Sequence, residues 1–200
     1  MKQPLFLFSE LTEKEKQKES QAVNVKNARN KAVLGKRYDK CRQVIGKITM
    51  GDCIHYVSMG EWSLHDLVFH LLSIAGPAEI TMATWSVSED AVRLILKNIE
   101  HGLIKKLSLL LDWRVKVRRP EVLSLVKSNI TEIRESSCHA KLAVIENDEW
   151  QICIVGSANL TNNPRIEAGV IHADKNAADF HKKWMDAEIR NADPFGAKKL

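Results

Sequence analysis

From Ile48 onward, short apolar runs alternate with amphipathic stretches, and this rhythm predicts the elements. Ile54 to Ser58 reads as a short strand. Ser63 then opens a helix, with Asp66 three residues on in the manner of a capping box. Leu64, Leu67, Val68, Leu71 and Leu72 give that helix the 3–4 spacing of a buried stripe, and Gly76-Pro77 ends it. Glu79 to Val87 predicts a strand, and Ser88 the start of a second helix with Leu94, Ile95 and Ile99 as its core face. Lys106 to Asp112 is a strongly apolar strand, and Pro120 to Ile130 a third helix. Four more strand-like runs follow: Glu132 to Ser136, Cys138 to Ile145, Trp150 to Val155 and Ala168 to His172. A final helix over Lys175 to Asn191 would bury Ala178, Phe180, Trp184, Met185 and Ile189. Strands alternating with helices predict an α/β fold, and no internal repeat is visible.

Residues 1–47 have a different character. Ser9 to Gln21 is dense in Glu, Lys and Gln and has little to bury, which predicts an exposed helix or arm. From Lys26 to Lys47, eight basic residues face the single acid Asp39. That local surplus exceeds the net charge of +5 of the whole chain. The scattered apolar positions Val23, Val25, Val33, Leu34, Val44 and Ile45 suggest one or two amphipathic helices. The basic residues, among them Lys36, Arg37, Lys40 and Arg42, fit either a solvated face or a phosphate-binding patch. The expected organisation is a charged, helical N-terminal arm over 1–47 and one domain over 48–200.

Composition narrows the function classes. A hydrophobic fraction of 44% and a charged fraction of 28% suit a globular chain. No apolar run approaches the about 18 residues of a membrane span. Leu5 to Phe8 is too short for a signal peptide, so a cytoplasmic location without membrane insertion is expected. Cys41, Cys53, Cys138 and Cys153 lack paired spacing, which argues for reduced, mostly buried thiols and against a zinc site.

The chemistry lies near the C-terminus. His139 and Lys141 stand two apart before an apolar strand, and the polar turn Glu146 to Glu149 sends the chain back through Ile152 and Ile154. That return delivers Ser157 and Asn159 just past Gly156, beside His139 and Lys141. A titratable ring, a fixed cation and hydrogen-bonding groups would thus converge, with Glu167 following. Arg114, Lys116, Arg118 and Arg119 follow the apolar strand ending at Asp112, and could hold a phosphate backbone if that strand ends on the same side. The remaining histidines, His55, His65, His70, His101, His172 and His181, are expected to be structural or surface groups. The five tryptophans fit core or rim packing better than base stacking.

His139, Lys141, Gly156, Ser157, Asn159 and Glu167, in that order, resemble the HKD motif of the phospholipase D superfamily: H-x-K-x4-D, then G-S-x-N and a later Glu. Two departures are visible. Glu146 stands at the motif's Asp, and the turn before Gly156 is a few residues longer.

The resemblance implies a phospholipase D-like mixed sheet flanked by helices on both faces. It also implies a phosphodiesterase without metal or other cofactor, with His139, Lys141, Asn159 and Glu167 as catalytic residues. Lys141, Ser157 and Asn159 would bind the phosphate. Family members use two such motifs and this chain has one, so the resemblance implies a homodimer with the active site on its two-fold axis. An endonuclease acting on DNA or RNA is the first expectation. A weakly catalytic or non-catalytic nucleic-acid-binding dimer and a phospholipid phosphodiesterase or phosphatidyltransferase are the alternatives.

Overall fold

The structure, a computed structural model, describes backbone at residues 20–26, 29–35 and 39–40, and backbone with side chains at 41–130, 132–162 and 164–191. The elements run β1 (Ser20–Lys26), β2 (Arg29–Gly35), α1 (Asp39–Ile45), β3 (Cys53–Ser58), α2 (Leu64–Ala75), β4 (Ala78–Thr84) and α3 (Glu89–Glu100). Then come β5 (Ile104–Asp112), α4 (Val115–Arg118), α5 (Pro120–Asn129), β6 (Glu132–Ser136), β7 (Leu142–Glu146), β8 (Gln151–Gly156), β9 (Glu167–His172) and α6 (Lys175–Asn191).

The strands form one mixed sheet in the order β2-β1-β3-β9-β8-β7-β4-β5-β6. Strands β4, β5 and β6 are parallel, joined by crossovers that carry α3, then α4 and α5. Strands β7, β8 and β9 return antiparallel between β4 and β3. The seven strands β3 to β9 are the sheet's body, and the β1–β2 hairpin extends it past β3.

Helices cover both faces, and the alternation of apolar residues shows why. Ile80, Met82, Leu109, Leu111, Ala143, Ile145, Ile152 and Ile154 face a core built with α2, α3 and α5. Their neighbours Ala83, Leu110, Leu142, Val144 and Cys153 face a second core under α6. A strand buried on both sides must be apolar at every position, as Leu142 to Ile145 are. Among the described residues no helix is long and apolar enough to cross a membrane.

The α2 stripe is buried as the spacing predicts, and its capping box forms: Asp66 accepts from the Ser63 N–H at 2.9 Å. Two other faces differ from expectation. In α3 the buried residues are Ala91, Val92 and Ile95, and Leu94 is 40% exposed. In α6 they are Ala178, Met185 and Ile189, and Phe180 is 68% exposed. At about 100° per residue, Phe180 lies roughly 200° round the helix from Ala178.

The helical reading of residues 23–34 is corrected as well, because Ser20–Gly35 forms the β1–β2 hairpin. β-Branched Val23 and Val25 alternate with polar residues, and the edge of β3 offers β1 a partner that a helix would leave unpaired. Helix α1 is the helical part, with Cys41, Val44 and Ile45 in the core. Residues 1–19 lie outside the described residues.

Candidate functional site

Register places the site. Ala83 of β4 pairs with Leu142 of β7, Leu142 with Val155 of β8, and Gly156 with Gly169 of β9. The carboxyl ends of β4, β5 and β8 therefore share one edge with the starts of β7 and β9. In open α/β sheets the carboxyl ends of parallel strands are where ligands gather. His139 and Lys141 lead into β7, Ser157 and Asn159 follow β8, and Glu167 begins β9. The polar turn at the far end of β7 is pinned by Asn147, whose amide donates to the Ala75 carbonyl at 2.9 Å and accepts from the Trp150 N–H at 2.8 Å.

His139 and Lys141 are not on the strand, which starts at Leu142. Strand β4 leaves the sheet after Thr84, so residues before Leu142 have no β4 partner to pair with. Lys141 instead curls back on His139. Its ammonium donates to the His139 carbonyl at 2.6 Å and lies 3.3 Å from Nδ1. The Lys141 carbonyl accepts from the Gly156 N–H at 3.1 Å, tying the two halves of the motif together. Burial lowers the Lys141 pKa below its ordinary value; Cys138, Glu167 and Asp112 oppose that, and Arg114 adds to it. His139 is exposed, so a substrate or a second copy can reach it.

The Ser157 hydroxyl donates to the Glu167 carboxylate and accepts from the Ala168 N–H at 3.0 Å. Glu167 is only 9% exposed, and the Ser157 hydroxyl is one donor to it. Asn159 is reached by Thr84, a buried residue at the end of β4 that no sequence motif marks. The Thr84 hydroxyl lies 3.3 Å from Asn159 Oδ1, donates to the Ser86 carbonyl at 2.9 Å and accepts from the Leu160 N–H at 3.3 Å.

Gly156 and Gly169 have a structural reason to be glycine. The Tyr56 hydroxyl crosses beneath them, 2.9 Å and 2.5 Å from where their Cβ atoms would stand.

The basic cluster after β5 ends on this side. Asp112, fully buried, accepts from Arg114 Nε at 2.6 Å and from a terminal guanidinium nitrogen at 3.0 Å. Arg114 and Arg118 both lie over Trp85, at 5.4 Å and 4.6 Å from the ring centroid. The His139 ring is 5.4 Å from the same indole, and Lys141 Nζ is 5.8 Å from it. Trp85, expected as core or rim, is thus the hub of the cationic groups. Its position just past β4 is the only signal the sequence carried. Lys116 and Arg119 are exposed beside this cluster.

Of the N-terminal basic residues, Arg42 is placed elsewhere. Arg42 is near His70 of α2, whose pKa it helps to lower after burial, with the Gly46 carbonyl opposing. Lys40 is in α1, and Lys36 and Arg37 lie outside the described residues. Glu146, at the motif's acid position, sits at the opposite end of β7 and pairs with Lys182 at 2.9 Å.

No protein-family model matches the chain, and no curated protein does. Solved structures do. The polyphosphate kinase from Porphyromonas gingivalis is similar with a TM-score of 0.51 and 18% identity, over 73% of this chain and 27% of the kinase. The archaeal chromatin protein TrmBL2, described as showing a novel mode of DNA binding, is similar with a TM-score of 0.48 and 13% identity, over 74% of this chain and 55% of that one. The chain thus spans about a quarter of one and half of the other, and the kinase likeness shows a shared fold.

Proposed function

We propose that this chain is a phosphodiesterase acting on nucleic acid, DNA or RNA, as a homodimer through a phosphohistidine intermediate. The observation that carries the reading is the convergence of His139, Lys141, Ser157, Asn159 and Glu167 at one sheet edge. The shared fold with a polyphosphate kinase is compatible with phosphoryl transfer.

One neutral His139 attacks phosphorus, and a P–N bond forms as the leaving-group P–O bond breaks. The His139 of a second copy, as imidazolium, gives that oxygen its proton. Water then cleaves the P–N bond, with the second histidine now the base. Histidine serves both tasks because its ordinary pKa of about 6.5 keeps both forms available near neutrality. Paired Lys141 and Asn159 side chains hold the non-bridging oxygens, where negative charge develops. Fixed cations and amides thereby supply the charge neutralisation that a metal supplies in other phosphodiesterases.

The test is plasmid cleavage in EDTA by wild type and by His139→Ala, with acid quenching to trap the labelled covalent adduct. Loss of cleavage by a factor of about 100 or more in the variant, with the adduct seen only in wild type, is the expected result. DNA retention without cleavage would leave a binding module. Turnover of phosphatidylcholine or cardiolipin instead would make this a lipid enzyme. A strictly monomeric protein that still cleaves would remove the shared-site mechanism.

A further inference from the structure

The indole of Trp85 gathers three cations that ought to repel one another, together with a histidine ring. Arg114, Arg118, Lys141 and His139 all lie within 6 Å of its ring centroid. Among the described residues, the Trp85 Nε1–H is buried without a hydrogen-bond partner. A phenylalanine would avoid that cost; what the indole adds is the strongest cation–π face of any side chain. Of the two arginines, Arg114 is neutralised by its paired bond to Asp112. Arg118 is exposed, and among the described residues no carboxylate pairs with it. A positive group so held, next to a site for a phosphodiester, lacks only an anion.

We propose that Arg118, carried on the face of Trp85, forms a second phosphate subsite that engages the phosphate next to the scissile one. The inference rests on the nucleic-acid reading above and sharpens its substrate class. The substrate is a strand with consecutive phosphodiesters, not a compound with a single phosphodiester. The spacing fits. The Arg118 guanidinium carbon and the His139 ring centroid, 4.6 Å and 5.4 Å from one indole centroid, are at most about 10 Å apart. A nucleic-acid strand carries one phosphate per about 3.4 Å of helix axis, so a strand at His139 brings a neighbouring phosphate within reach of Arg118. Trp85 acts here as a positioning residue. Its ring is already covered by cations, so its role is to aim Arg118, not to stack a base.

The experiment measures binding of labelled single-stranded hexanucleotide and dinucleotide by fluorescence anisotropy across a salt series. Wild type is compared with Arg118→Ala, Arg118→Lys and Trp85→Leu. Expected is an about tenfold fall in the hexanucleotide-to-dinucleotide affinity ratio for Arg118→Ala, and a salt slope shallower by about 0.7. Arg118→Lys should restore the slope and only part of the ratio. Trp85→Leu should lower the ratio with Arg118 still present. An unchanged ratio and slope in Arg118→Ala overturns the subsite, even where wild type cleaves nucleic acid. A normal ratio effect in a protein that binds without cleaving keeps the subsite and removes the enzymatic reading. Tighter binding of inorganic polyphosphate than of hexanucleotide would overturn the nucleic-acid assignment.

Discussion

The Lys141 ammonium donates to the backbone carbonyl of His139 and stands 3.3 Å from that residue's Nδ1. An ammonium has donors only, so Nδ1 is the acceptor in this contact and a neutral ring carries its proton on Nε2. In that tautomer Nε2 has no free lone pair. Attack through Nε2 needs the proton on Nδ1 instead. On the proposed mechanism, a phosphate that draws Lys141 away from the ring permits the exchange. Nitrogen NMR of the histidine ring should therefore show Nε2–H in the free protein and Nδ1–H with phosphate bound. Lys141→Met should weaken the Nε2–H preference without phosphate. An Nδ1–H ring in both states would remove this gating.

Lys141 also sets a pH limit. Burial first, with Arg114 adding to it, lowers its pKa below the ordinary 10.5, and Cys138, Glu167 and Asp112 oppose the shift. On the proposed mechanism the charged lysine binds phosphate, so affinity is present below the lysine's pKa and lost as pH rises through it. The alkaline limb of kcat/KM should fall below pH 10.5. Lys141→Arg should move that limb upward, because the guanidinium stays charged throughout the range. An alkaline limb unmoved in Lys141→Arg would assign it to another group.

Packing behind the motif gives a second kind of prediction. A Cβ on Gly169 would stand 2.5 Å from the Tyr56 hydroxyl and 2.6 Å from the Val155 carbonyl, so Gly169→Ala must push strands apart. The expected loss is about 1–3 kcal/mol, measured by chemical unfolding. Tyr56→Phe removes the hydroxyl and should recover part of that loss in the double variant. Full additivity of the two changes would show that the hydroxyl is not the obstacle.

Acid stability rests in part on a buried histidine of α2. His65, 2% exposed, has its pKa lowered by burial, against the opposing pull of Asp66 and Asp90. Between that lowered value and the unfolded 6.5, the unfolded chain binds a proton the folded chain refuses. Stability is therefore full above about pH 6.5 and falls as pH drops through this window, by up to about 1.4 kcal/mol per pH unit for one proton. His65→Gln should flatten the decline in Tm between pH 7 and pH 5. An equally steep decline in the variant would assign it elsewhere.

Much of this was legible in the chain. Near-continuous apolar runs such as Leu142 to Ile145 set strands buried on both faces, and the 3–4 stripe of α2 set a helix packed against them. Those signals are local: a side chain's face follows from its neighbours' periodicity. The order of His139, Lys141, Gly156, Ser157, Asn159 and Glu167 was likewise read directly, and the hairpin return brought them together. Local periodicity misled where a tertiary partner decided. Val23 and Val25 took a strand because the β3 edge was open, and Phe180 faced outward because α6 turned its other side to the sheet.

The sequence by itself determined the alternating fold and the order of the motif residues, because both rest on spacing along one chain. Only the tertiary structure decided what surrounds them. His139 stands 54 positions after Trp85 and Asn159 stands 75 after Thr84, yet each pair meets because the parallel strands β4 and β5 end at the edge where antiparallel β7 begins. Contacts that depend on which strands lie side by side are set by the packing of the whole sheet, and no local pattern encodes them.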